Sequence, residues 1–127
     1  MSVQRQQLGK LGEDVALEHL QAQGYVILVR NYRTDFGEID IIAQDKNALC
    51  FIEVRTRISQ EQGHPLESIT SDKKSKIIRS SMCYLGELNL WESEIRFDVV
   101  SVIPEEEGRF QVEIVQDAFQ WEGDENL

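Results

Sequence analysis

Glu38, Asp40, Glu53 and Arg55 alternate with apolar residues in "GEIDIIAQDKNALCFIEVRTR", residues 37–57. Residues two apart on a strand share a face, about 6.6–7 Å apart. Glu53 and Arg55 therefore point one way and Ile52 and Val54 the other, and Glu38 shares a face with Asp40. If the chain turns back at "DKNA" (45–48), Asp40 and Glu53 fall on neighbouring strands, where facing side chains approach closely. Two carboxylates so placed repel unless a proton or a cation lies between them. Mg²⁺ or Mn²⁺ suits a two-carboxylate site, because a hard cation takes oxygen ligands and keeps waters or phosphate oxygens in its remaining positions. Such an ion polarises a phosphate and generates hydroxide for in-line attack on a phosphodiester. A neighbouring cation then stabilises the charge of the transition state, and Arg55 is placed for that role. The plainer alternative is a solvated sheet face laced with cross-strand ion pairs. The apolar flanks weigh against it, since a carboxylate on a covered strand is costly unless it is used or paired.

The elements that must position these groups follow from periodicity. Residues 3–23 carry Leu8, Leu11, Val15, Ala16 and Leu20 at helical spacing, and Gly24 is a natural stop. At 100° per residue Glu13 sits beside Leu17 and Leu20 at the edge of the apolar arc. It can lean toward the sheet as a further metal ligand, or remain a rim glutamate. "YVILVRNYR" (25–33) reads as a strand and "TDFG" as a turn. "EIDIIAQ" is a second strand, with Ile39, Ile41 and Ala43 on one face and Glu38, Asp40 and Ile42 on the other. "LCFIEVRTR" is a third, and "ISQEQGHPLESIT" a loop. Thr70 or Ser71 caps a second helix over 71–88, with Ile77, Ile78, Met82 and Leu85 as its apolar stripe. "EIRFDVVSVI" and "RFQVEIVQDAF" are two final strands around the turn "PEEEG". The order α-β-β-β-α-β-β predicts an α/β fold, a mixed sheet with helices packed on it.

A chain of 127 residues, 41% of them hydrophobic, suits one domain over 1–120, followed by an acidic, solvated tail over 121–127. No apolar run is long enough to span a bilayer, and the polar N-terminus lacks the apolar block of a signal peptide. Cys50 and Cys83 have no ligand spacing and read as reduced core thiols, which predicts a cytoplasmic protein. The net charge of −10 argues at first against nucleic acid, because phosphate binding rests on Lys and Arg. Position reverses that: residues 1–85 hold 11 Lys+Arg against 11 Asp+Glu, whereas 86–127 hold 2 against 12. The acidic excess is confined to the last third, and the middle of the chain can present a basic face. Arg30, Asn31 and Arg33, at the end of the first strand, are candidate phosphate contacts, as are Arg57, Lys73 and Lys74. Each is equally an ordinary strand-end or solvated helix residue. His64 has no partner at metal spacing. Tyr25, Tyr32, Phe36, Trp91 and Trp121 can stack on bases or pack at the rim. Asp98 in "RFDVV" is a sheet-face acid or the partner of a nearby arginine.

Taken together, "GKLGEDVALEHLQAQGYVIL", "RNYR", "GEIDIIAQD", "FIEVRTR" and "RFDVV" resemble the successive motifs of the YraN-like family of small bacterial proteins. The resemblance spans about residues 8–120. That family is assigned by similarity to the restriction-endonuclease-like, or PD-(D/E)xK, superfamily, near the archaeal Holliday-junction resolvases. It implies an αβββαβ core and a Mg²⁺-dependent nuclease acting on DNA, with branched or repair intermediates as substrates and a homodimer as the working form. In the superfamily's terms Asp40 matches the motif aspartate, Glu53 the second acid and Arg55 the lysine, while Glu13 matches a helix-one glutamate. Arg55 departs from the superfamily's usual lysine. An arginine stays protonated and cannot act as a base, although it can clamp a phosphate oxygen bidentately. The alternative is a nucleic-acid-binding or adaptor domain that keeps the fold without the chemistry.

Overall fold

The computed structural model describes residues 3–58 and 69–121. Most of the loop between the third strand and the second helix, His64 included, lies outside the described residues, as does the tail from 122. The elements are α1 (Val3–Ala22), β1 (Val26–Thr34), β2 (Gly37–Asp45), β3 (Ala48–Thr56), α2 (Ser71–Glu87), β4 (Glu94–Pro104) and β5 (Phe110–Phe119). This is the expected order. Helix α1 ends where Gly24 takes a left-handed φ of 98°. Helix α2 starts from Thr70, whose side-chain oxygen accepts the Lys73 N–H at 3.1 Å.

The five strands lie in sequence order, β1-β2-β3-β4-β5. β3 and β4 run parallel, and the other neighbours antiparallel. The parallel pair requires a long crossover, which α2 supplies. Helix α1 covers one face through Ala16 and Leu20, against Ile41, Ala43, Cys50, Ile52, Val100 and Val102. Helix α2 covers the other with Ile77, Ile78, Tyr84 and Leu85, against Ile39, Ile42, Phe51 and Phe97. Phe51, fully buried, sits between Tyr84 and Phe97 with ring centroids 6.0 and 5.8 Å away. Burying such a side chain contributes about 1.5–3 kcal/mol. Sandwiched in this way, β3 is apolar at every residue from Ala48 to Ile52.

Two details depart from the expected pattern. Leu11, placed on the α1 stripe by spacing, is largely exposed, because the helix buries the narrower line of Ala16 and Leu20. Tyr84, absent from the expected stripe of α2, is buried and meets Tyr32 edge-on at 5.3 Å. No helix among the described residues is long and apolar enough to cross a membrane.

Candidate active site

The β2–β3 ladder begins at the Asp45–Ala48 pair beside the turn and ends at Ile41–Ile52. Beyond that point β2 still pairs with β1 as far as Thr34–Gly37, and β3 with β4 as far as Thr56–Val102. The sheet therefore forks, and the first residues inside the fork, opposite each other in register, are Asp40 and Glu53. Asp40 Oδ2 accepts the Val54 N–H at 2.8 Å, a donor that the lost ladder would otherwise leave unpaired. Alternation breaks at the same place. Ile41 and Ala43 share the α1 core as expected, but Ile39 joins Ile42 in the α2 core. Past Ile41, β2 has only β1 as a partner; Ile39 pairs with Tyr32 and follows it onto α2.

Glu53 is 4% exposed, and two cations from different elements meet its Oε2: Arg55 Nη1 on β3 and Lys73 Nζ on α2, each at 3.5 Å. Asp40, which faces Glu53 across the fork, has its proton affinity raised. Burial first, and then the negative charge of Glu53, push its carboxyl up to about 8; the Val54 N–H offsets part of this, and Glu13 adds to it. Glu13, from α1, is itself raised by burial, with Arg30 working the other way and Glu38, Asp14 and Glu53 adding. Asn31 stands between these acids in a left-handed conformation, φ 53°. With its amide nitrogen turned toward them it donates to Glu38 Oε1 at 2.8 Å and to Glu13 Oε1 at 3.0 Å. Arg30 Nη2 lies 2.9 Å from Asp14 Oδ1 and 4.0 Å from Glu13 Oε1, and Arg33 Nε lies 4.0 Å from Glu38 Oε1. The close approach of α1 depends on Gly12, where any Cβ would collide with the Thr56 side chain.

The structure thus gathers Asp40, Glu53 and Arg55, brings Glu13 into electrostatic range, and lines the β1 side with Arg30, Asn31 and Arg33. Lys73 reaches Glu53, whereas Lys74 lies over the Phe119 ring, 5.8 Å from its centroid. Arg57 is buried, with its Nε donating to Ser101 Oγ at 3.3 Å and its N–H to Val102 O at 2.9 Å. Among the described residues no three Asp, Glu, His or Cys side chains gather in an arrangement that would hold a metal ion. The sequence names Glu38 and Lys73 without revealing their partners. Glu38 belongs to the acid group through Asn31, and the signal was its place two residues before Asp40. Lys73 pairs with Glu53, and the signal was its place in the first turn of α2 beyond the cap.

An aspartate on another strand serves as a contrast. Asp98 on β4, fully buried, receives Arg96 through two nitrogens at 2.9 Å, the Tyr25 hydroxyl at 3.0 Å and the Asp117 N–H at 2.9 Å. Arg96 also reaches Asp45 Oδ2 at 2.9 Å, and Gln116 Nε2 donates to the Tyr25 oxygen at 2.8 Å. Of the two roles open to Asp98, partner of an arginine is the one the structure realises.

A family model described as "Uncharacterised protein family UPF0102" matches residues 12–102. A UPF0102 protein of Prosthecochloris aestuarii is 46% identical over 124 residues, covering 94% of this chain and 98% of the relative. One from Desulfosudis oleivorans is 47% identical over 117 residues, covering 91% and 92%. Another, from Chlorobaculum tepidum, is 51% identical over 98 residues, covering 77% and 76%.

Proposed function

The chain belongs to the UPF0102 family, and from that premise we propose that it is a metal-dependent nuclease that hydrolyses phosphodiester bonds in DNA, with branched or repair intermediates as substrates. The observation that carries this reading is Asp40: a half-buried carboxyl, set opposite the buried carboxylate of Glu53 at a break in the sheet, whose proton affinity is raised by burial and by the charge of Glu53. Carboxyls perturbed in this way, with a specific charged neighbour, cluster at sites of chemistry. The element order and the mixed sheet are compatible with a restriction-endonuclease-like core.

The donor set suits Mg²⁺ or Mn²⁺, being oxygen only, with Asp40 and Glu53 as the holding pair and Glu13 as a further acid nearby. A bound ion of that kind would polarise the phosphate and activate water. The chain's own residues do the rest. The Val54 N–H fixes the rotamer of Asp40. Arg55 and Lys73 pair with Glu53 and stand where a phosphate oxygen would need a positive neighbour. Arg30 and Arg33 extend the positive rim along β1 and steer the backbone of the nucleic acid. Free Cys50 and Cys83 suit a cytoplasmic setting, and the two-fold symmetry of a junction suits a homodimer.

One observation favours a second reading, a non-catalytic nucleic-acid-binding or adaptor domain. Glu53 is already paired with Arg55 and Lys73, which leaves the fork partly neutralised without any ion. Incubation with radiolabelled junction, flap and linear DNA in Mg²⁺ or Mn²⁺ separates the two. The nuclease reading expects cleavage that Asp40→Ala abolishes. Absence of cleavage at high protein concentration, or cleavage that survives Asp40→Ala, leaves the binding domain.

A further inference from the structure

Phe36 belongs to neither core cluster and is 44% exposed, at the turn that joins β1 to β2. An isolated exposed phenyl is common on protein surfaces. This one is held by a built turn. Thr34 Oγ1 accepts the N–H of Phe36 at 3.0 Å and of Gly37 at 3.2 Å, and it bonds the buried Ser80 hydroxyl of α2 at 2.8 Å. On α2 the Arg79 guanidinium lies over the Phe36 ring, 5.8 Å from its centroid, leaving much of the residue open to solvent. The turn is at the end of the sheet that carries the fork: Glu38 and Asp40 follow Phe36 by two and four residues.

Helix α2 carries a cation to each place, Lys73 to the acids and Arg79 to the ring. Lys73 reaches Glu53, and Arg79 follows six residues later, about 9 Å along the helix axis at 1.5 Å per residue. At the 3.4 Å per nucleotide of a stacked strand, that is about two or three nucleotides. An aromatic ring backed by a guanidinium, this close to a phosphate-binding rim, has the composition of a stacking platform for a nucleobase. A paired base hides its faces inside the duplex, so the platform has no use for one.

We propose that Phe36, backed by Arg79, stacks an unpaired base two or three nucleotides from a phosphate that Arg55 and Lys73 would contact beside Asp40 and Glu53. This rests on the nuclease reading of that site and narrows its substrates to nucleic acid with a single-stranded flank or a splayed branch. The ring acts through shape and π-surface rather than through base edges, so it discriminates single strands from duplexes without reading sequence.

The test is fluorescence anisotropy in EDTA with three labelled probes, namely a single-stranded DNA, the same strand carrying abasic sites, and the matching duplex. Phe36→Leu keeps an apolar side chain on the turn but removes the ring, and Phe36→Trp restores an aromatic face. The platform predicts that Phe36→Leu weakens single-strand binding about fivefold or more, that Phe36→Trp retains it, and that duplex affinity is unchanged. The abasic strand should bind the wild type no better than the intact strand binds Phe36→Leu. Equal binding of the intact and abasic strands, or full affinity in Phe36→Leu, overturns the platform. If the wild type still cleaves DNA in an Asp40-dependent manner in that case, the nuclease reading stands without it. If no probe binds and none is cleaved, both fall together.

Discussion

Asp98, fully buried, and Asp40, half-buried, each capture a backbone N–H where a strand ladder breaks, and they differ in what surrounds them. At Asp98 the break is a register shift in the β4–β5 ladder, and the captured donor is the N–H of Asp117, in a left-handed conformation of φ 53°. Arg96 and Tyr25 complete its partners, so the charge is matched and the lone pairs are used. At Asp40 the break is the fork between β2 and β3, and the captured donor is the N–H of Val54. Beyond that donor it faces Glu53, with Glu13 also in range. The same device, an aspartate capping a broken ladder, closes the sheet in one place and opens a site in the other. What separates them is the next side chain, an arginine beside Asp98 and a glutamate beside Asp40.

Breaking the contrast at Asp98 has the largest expected effect. Asp98→Ala leaves the half-buried Arg96 with Asp45 as its remaining carboxylate and strands the Asp117 N–H, and should cost about 3–5 kcal/mol in urea unfolding. At Asp40 the sign reverses. Its carboxyl lies near 8 in the folded protein against an ordinary value of 3.8, so the unfolded chain releases this proton first. Stability is therefore lost as pH rises from about 4 to 8, and is constant with respect to this group above and below. Asp40→Asn should raise stability at pH 8 by about 1–3 kcal/mol and flatten the pH profile, while removing any cleavage. A variant that is less stable than wild type at pH 8 would contradict the account of the fork.

Gly12→Ala tests how the fork is held against α1. A Cβ at this position meets the Thr56 side chain, so that side chain must move or the helix must shift, and Glu13 with it. A cost of about 1–2 kcal/mol is expected, relieved in the double variant with Thr56→Ala. The smallest change is Arg55→Lys, which keeps the positive neighbour of Glu53 and adds a group able to lose its proton. It should leave stability unchanged within about 0.5 kcal/mol and raise the cleavage rate a few-fold.

Much of this was legible in the sequence. Apolar periodicity and turn residues set out seven elements, and the strands flanking Lys46 and Asn47 fixed the register that puts Asp40 opposite Glu53. The break in alternation at Ile39 was not legible, because it arises where β2 loses one neighbour and keeps the other. Nor was the burial of Arg57 against Ser101, since a strand-end arginine has the same local sequence signal whether it faces phosphate or the next strand. Asn31 read as a possible phosphate contact, and its position between Glu13 and Glu38 exists only once α1 has packed on the sheet. Asp98 and Asp40 look alike in sequence, each an acid among apolar strand residues. Only the cross-strand partners tell them apart.

The most direct measurement is isothermal titration of the protein with Mn²⁺ at pH 7.5 in two buffers of different ionisation heat, for the wild type and for Asp40→Asn. If the fork is built to take a cation in place of a proton, the wild type binds one ion and releases close to one proton, seen as a buffer-dependent heat, and Asp40→Asn abolishes the site. A silent wild type, or Mn²⁺ binding unchanged in Asp40→Asn, would contradict it.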